Sequence, residues 1–480
     1  MPPKRERTVP GSCWPCKQRR VRCDLARPLC KRCSASGEKC CYGRFRIRWK
    51  EWPVEKEAQK RKEKEKAARP PVIRKSTGLS LNHYINDNSL LPDDRKALEY
   101  FQVALWPLFT TASHPCSPPI SFALESQPVF LAVCELSEAH RMRQDDRWSA
   151  KNKRLSCLAS IREQLQAGSS DNASLSPLLI AVLLLYFLEG FIECSNRAAA
   201  TATASHHGGV RAIVDQLGGF TTLIDNLNTN AGQNGSTTSM NMLLSEFAST
   251  DLTGALLGDR TPCLPAEIWL RIERGTVWWE KHMYNNTTMA GVFHIMAEMS
   301  FYRQALKRGG ESLSVEVVRD FERALQPSFS VLSFDQFESA ESNTLHESLE
   351  PQMQAASFIR AFQHSALIYL YRAICGLPPR HFLVQQHVQA CAESIRCILP
   401  ASKAHNCIIF PLYVMGAHAF TRVQQGLVLE RLGIVYQCIR FGSVVSVRAA
   451  LEELWESPKH EGEWWDMFDS EILGANVLVL

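Results

Sequence analysis

Six cysteines near the amino terminus fall into two copies of one spacing. Cys13, Cys16 and Cys23 read C-x2-C-x6-C, Cys30, Cys33 and Cys40 read the same, and six residues separate the copies. Thiols packed this densely into a short polar segment are how a chain without a local apolar core recruits zinc. Two tetrahedral zinc ions need eight ligand positions, and six thiolates supply eight only if two of them bridge. If the repeats fold as equivalent halves, the bridging pair is Cys13 with Cys30, Cys16 with Cys33, or Cys23 with Cys40. Cys41 breaks the matched spacing and reads as a spare thiol. A single four-thiolate site is the simpler arrangement, because Cys13, Cys16, Cys30 and Cys33 alone read C-x2-C-x13-C-x2-C, but it leaves Cys23 and Cys40 idle at symmetric positions. A disulfide framework fits poorly: the chain has 480 residues, opens with no apolar signal segment, and scatters ten further cysteines singly.

The two halves carry unequal charge. Between Cys16 and Cys23 lies Lys17-Gln18-Arg19-Arg20-Val21-Arg22, with four cations, whereas Ser34-Ala35-Ser36-Gly37-Glu38-Lys39 holds one cation and one anion. Metal loops of equal length and unequal charge imply that one faces a polyanion. Arginine pairs bidentately with guanine O6 and N7, so the first half is expected to face DNA rather than to be a merely solvated surface. The charge distribution agrees. Residues 1–76 hold 24 Lys and Arg against 8 Asp and Glu; the remainder holds 30 against 41. A basic head on an acidic body suits phosphate binding by counterion release at one end only.

The segment CWPCKQRRVRCDLARPLCKRCSASGEKC resembles the fungal-type Zn2Cys6 binuclear cluster of transcription factors. The likeness includes the basic run before the third cysteine, Asp24 after it, Pro28 two residues before the fourth, and Tyr42 two residues after the sixth. The resemblance implies that Cys13 and Cys30 bridge, that Cys16 and Cys23 complete one zinc site, and that Cys33 and Cys40 complete the other. It implies two short helices, with Arg19 and Arg20 reading a CGG-like triplet in the major groove. Lys17, Arg22, Lys31 and Arg32 then become phosphate contacts, which position without specifying. Trp14-Pro15 inside the first C-x2-C departs from the variety usual there.

Residues 44–50 alternate cations with apolar groups, as an arm along the DNA backbone or an edge packed on the cluster. Residues 55–68 (EKEAQKRKEKEKAA) are charged and helix-prone, ending at Pro70-Pro71. A coiled coil often follows the cluster in the family it resembles. Here no Leu, Ile or Val recurs at heptad positions, so a zipper has no apolar seam. A monomer on one half-site, or pairing through the body, is expected instead. Lys4-Arg5 and Lys60-Arg61-Lys62 are short basic runs of the nuclear-import type. Residues 76–89 read as a linker.

From residue 90 the sequence turns globular and helical. Asp93 and Asp94 favour a helix start before Leu98, Phe101, Leu105 and Leu108 on one face. Ser176-Pro177 is a cap and first-turn pair opening Leu178–Ile192, whose eleven uninterrupted apolar residues are too few for a membrane span and suit a buried helix. Phe358, Phe362, Ala366, Leu370 and Ala373 form a stripe stopped by Gly376 and Pro378, and Val444, Val447, Leu451 and Leu454 form another. Ser205-His206-His207-Gly208-Gly209-Val210-Arg211-Ala212-Ile213 and AFQHSALIYLYRAICGLPP resemble segments of the fungal-specific transcription-factor regulatory domain, which implies an all-α body. The Asn-, Gly- and Ser-rich stretch 226–241 reads as a mobile loop.

No catalytic constellation emerges. His206-His207 read as packing or surface residues, since neighbours on a helix diverge, and His346-Glu347 lacks a second histidine at the spacing of a zinc protease. Cys391 and Cys397 read as small core residues. Trp464, Trp465 and Phe468 among acids read as a terminal segment docked on the body, in preference to an activation peptide.

The expected organisation is a basic tail at 1–12, a Zn2Cys6 domain at 13–42, a basic arm and charged linker at 43–89, and a large all-α regulatory domain at 90–480. The expected function is nuclear, sequence-specific transcription regulation of the RNA polymerase II type on double-stranded DNA. Co-regulators or a small-molecule effector are expected to act through the body, with no membrane and no enzyme activity. The competing reading is a co-regulator that keeps the cluster but reads no sequence.

Overall fold

The computed structural model describes residues 12, 13, 16, 19, 21–27, 29–37 and 40 of the head. Of the rest it describes 90–143, 153–166, 172–194, 197–230, 235–281, 287–326, 345–470, 473 and 477–480. They fall in two units, one within Met1–Ser80 and one within Leu81–Leu480. The basic tail before Ser12, the arm at 44–50, the charged run at 55–68 and the linker at 76–89 lie outside the described residues.

The larger unit is built from helices, and no β-strand occurs among its described residues. Its central element is Asn172–Phe187, continued by a π-helical turn over Leu188–Ile192. This segment is apolar all round because it is covered all round: 89 % of the 18 residues Leu175–Ile192 are buried. It packs against Gln127–Met142, Arg197–Gln216 and Gly235–Leu257. Its length reaches the range of a membrane span, and its burial identifies it as a core helix. The helix starts earlier than the cap reading of Ser176-Pro177 places it, so Pro177 sits inside it. The fixed φ of proline is helical, and so near the amino end its ring forfeits at most one backbone bond.

A second layer is the antiparallel pair Leu345–Tyr369 and Phe382–Arg396, which packs on Ile409–Ala417 and Met289–Lys307. Phe358, Phe362, Ala366, Leu370 and Ala373 are all buried on it, and the element ends at Gly376, whose φ of 65° is open to glycine without strain. Rings knit the layers: Trp269 to Phe293 at 4.7 Å, Phe293 to Phe362 at 5.6 Å and Phe362 to Phe410 at 6.0 Å. The stripes Leu98–Phe101–Leu105 and Val444–Val447–Leu451–Leu454 are buried as their periodicity requires, with Leu108 only half-buried.

The carboxyl end closes the core. Trp464 is fully buried, its indole N–H donates to the Leu256 carbonyl at 2.9 Å, and its ring meets Tyr369 at 5.2 Å. Buried Arg372 donates to the carbonyls of Gly462 and Leu377, clamping this segment. Leu478 N–H then donates to Gly190 O at 2.9 Å, and Ile409 N–H to Leu480 O at 2.7 Å. Gly190 is needed here, because a Cβ on it would stand 2.3 Å from Leu478 Cγ.

Two expectations are corrected. The stretch 226–241 is not one long loop: helices Phe220–Thr229 and Gly235–Leu257 run into it from both sides. Its amides have tertiary partners, Asn241 Nδ2 donating to Asn228 Oδ1 at 3.3 Å and Asn228 Nδ2 to Arg271 O at 2.9 Å. At Asn228 the bond to Arg271 removes the reason asparagine usually leaves a helix. Cys397, unlike buried Cys391, is exposed, because it caps the carboxyl end of its helix beyond the apolar face.

Candidate metal centre and nucleic-acid interface

Among the described residues of the head, the core is made almost wholly of thiols. Cys13, Cys16, Cys30 and Cys33 are fully buried and Cys23 is nearly so, with Val21 and Cys40 half-buried against them. Local backbone chemistry places them. Cys30 is the N-cap of the helix Lys31–Ser36, and its Sγ accepts from Cys33 N–H at 3.3 Å, so the C-x2-C spacing spans one capping turn and turns both sulfurs inward. Gly37, with φ 68°, ends that helix and lets the chain return to Cys40, whose Sγ accepts from Cys30 N–H at 3.4 Å. Cys23 Sγ accepts from Leu25 N–H at 3.4 Å. Asp24 ties the halves together, both carboxylate oxygens accepting from Lys31 N–H at 3.1 and 3.2 Å. Its charge sits at the start of that helix, where an anion is favoured. Sequence reasoning noted Asp24 only as part of the motif; its place immediately after the third cysteine is the signal for this role. The other short helix expected of the cluster, around Cys16, lies largely outside the described residues.

Sulfur positions form two groups. The Sγ atoms of Cys13, Cys16, Cys23 and Cys30 lie within 4.8 Å of one another, and so do those of Cys13, Cys30, Cys33 and Cys40. Cys13 and Cys30 belong to both groups. The described cysteines are free thiols, which excludes disulfides among them. Close Sγ–Sγ separations are 3.6 Å for Cys13–Cys30, 3.5 Å for Cys13–Cys33, 3.7 Å for Cys16–Cys30 and 3.8 Å for Cys13–Cys23. A tetrahedron with zinc–sulfur bonds of about 2.3 Å has sulfur–sulfur edges of about 3.8 Å. These separations suit the corners of two zinc tetrahedra, with Cys13 and Cys30 common to both groups. A dication among sulfurs this close would hold them together as thiolates.

Around the sulfurs, Arg22, Lys31 and Arg32 are exposed. Arg19 is exposed too, and its guanidinium donates to Cys33 Sγ at 3.8 Å, which anchors one end of the side chain on the cluster. Lys17 and Arg20 lie outside the described residues. Chemically, the head is a metal-templated knot with cations on its outer surface.

Residues 11–48 match the family model of the fungal Zn(2)-Cys(6) binuclear cluster domain, and residues 96–479 match that of the fungal specific transcription factor domain. No curated protein and no solved structure matches the chain. With both domains in one chain, and with sulfurs arranged for the two zinc ions that such a head carries, the protein belongs to the fungal Zn(2)-Cys(6) transcription factors, DNA-binding regulators of transcription.

Proposed function

We propose that the protein is a nuclear activator or repressor of RNA polymerase II genes that reads a CGG-like triplet through residues 13–42. Cys13, Cys16, Cys23 and Cys30 hold one zinc ion and Cys13, Cys30, Cys33 and Cys40 the other. Arg19 and Arg20 make the base contacts, and Lys17, Arg22, Lys31 and Arg32 the phosphate contacts. The observation that carries this reading is the pair of four-sulfur groups sharing Cys13 and Cys30, with exposed cations around it. Zinc supplies charge and geometry; the residues do the recognition. Residues 1–12 and 43–89 add basic charge and reach, and residues 90–480 gate activity through an effector or a co-regulator. No heptad seam follows the cluster, so the protein acts on a single half-site or pairs through its body.

Selection from random-sequence DNA with the zinc-loaded full chain tests this. Enrichment of a CGG-type triplet is expected, and one or two triplets per selected site gives the pairing state. Arg19→Ala with Arg20→Ala should abolish the preference while leaving salt-sensitive, sequence-blind binding. Binding with no sequence preference in the unmutated chain refutes direct readout and favours the co-regulator reading.

A further inference from the structure

The helical domain brings together three metal-ligating side chains from separate elements. His207 lies on Arg197–Gln216, Asp251 on Gly235–Leu257, and Cys263 in the connection that follows. Asp251 is 1 % exposed. His207 Nε2 stands 3.1 Å from Asp251 Oδ1 and 3.9 Å from Cys263 Sγ, and the three ligand atoms all lie within 4.8 Å of one another. A tetrahedral zinc ion with bonds of about 2.0 Å to nitrogen and oxygen and about 2.3 Å to sulfur has edges of about 3.3 and 3.5 Å. Both separations from His207 match within a few tenths of an ångström.

The surroundings hold the donors in place. Cys263 N–H donates to Asp251 Oδ2 at 2.6 Å, fixing the carboxylate, and the His207 ring lies between Phe247 at 5.1 Å and Tyr186 at 6.1 Å. His207 and Cys263 face a cavity of about 550 Å³ whose walls also include Arg211, Arg260, Tyr413 and Phe468. Three protein ligands with a fourth position open to a cavity are the pattern of a site that exchanges ligands, unlike the closed four-sulfur groups of the head. His206, its sequence neighbour, points elsewhere, toward Glu189 at 3.4 Å.

We propose that His207, Asp251 and Cys263 form a second, exchangeable zinc-class metal site in the regulatory domain, whose fourth ligand comes from the cavity. Arg260 is its gate. In the structure Arg260 Nη1 donates to Asp251 Oδ1 at 2.7 Å and Nη2 to the Asp251 carbonyl at 2.9 Å, and its side chain is 41 % exposed, so the guanidinium can trade both bonds for water. The exchange balances in charge. One Zn²⁺ enters, the Cys263 S–H bond breaks and its proton leaves to solvent, and one guanidinium withdraws. Asp⁻ with Arg⁺ is replaced by Asp⁻, thiolate and Zn²⁺, both neutral. Occupancy thereby moves a cation in a cavity walled by the carboxyl-terminal Phe468, which couples metal level to the segment closing the core.

Zinc equivalents per full chain, measured by competition against a chromophoric chelator, test the proposal. Three are expected, two resistant and one weaker, falling to two in Cys263→Ser and in His207→Ala. Arg260→Ala should tighten the weaker site roughly fivefold by removing its competitor. Saturation at two equivalents overturns the proposal, as does a third equivalent that both ligand variants retain. Should Cys263→Ser fail to fold, Arg260→Ala still decides: unchanged or weaker binding of the third ion refutes the gate and with it the site.

Discussion

Removing one sulfur from the head separates a bridging ligand from a terminal one. Cys13 and Cys30 belong to both four-sulfur groups, whereas Cys40 belongs to one. Among the described residues of the head the buried side chains are five cysteines and Ser12, so its folding free energy is metal-binding free energy. A structural zinc ion contributes about 10–16 kcal/mol, which over four ligands is about 2.5–4 kcal/mol per sulfur bond. Cys40→Ser forfeits one bond and is expected to weaken total zinc retention by roughly 10²–10³. Cys13→Ser forfeits two bonds, about 5–8 kcal/mol, and should weaken it by roughly 10⁴–10⁶. The assay is equilibrium competition with a graded series of chelators, read by zinc release and by loss of DNA binding on the same samples. Equal chelator midpoints for Cys13→Ser and Cys40→Ser refute the shared edge, and so does a larger loss for Cys40→Ser.

Further expectations concern the helical domain. Gly190→Ala puts a Cβ 2.3 Å from Leu478 Cγ and should cost about 1–3 kcal/mol, partly restored by Leu478→Ala; additive losses in urea unfolding would show that the contact does not set the cost. Trp464→Ala empties a fully buried site and should cost about 3–5 kcal/mol, whereas unchanged stability in the same assay would mean that the aromatic segment is not docked. Burial pushes His364 and His418 down to about 3. Both are therefore neutral in the fold and protonate more readily when unfolded, so stability is present at neutral pH and falls as pH drops below about 6.5 toward 3. Each should remove about 1 kcal/mol between pH 6.5 and 5.5, and urea midpoints independent of pH over that range would contradict this.

The head was legible because its information is local. Cys13 to Cys40 lie within 28 residues, and spacing alone limits which thiols can converge. The Cys30 cap and the Gly37 turn bring the thiols together, and of the three symmetric pairs Cys13 and Cys30 are the two that fall in both four-sulfur groups. Periodicity likewise located the buried faces at Phe358–Ala373 and Val444–Leu454, since a helix repeats its own geometry. It failed at 226–241, where composition signals a loop, because the Asn228 amide finds its partner, the Arg271 carbonyl, on another element.

A sulfur-rich basic head, its zinc chemistry and an all-α body are written in the chain, because they depend on residue type at short, fixed separations. Which distant groups meet is settled by the packing of the helices. His207 sits 44 residues from Asp251, the Leu478 amide bonds Gly190 across the whole domain, and Arg372 meets Gly462 from 90 residues away. Such meetings follow from how helices stack once their apolar faces are buried. Burial also decides whether a histidine or carboxylate is charged, because it removes the water that would solvate the ion.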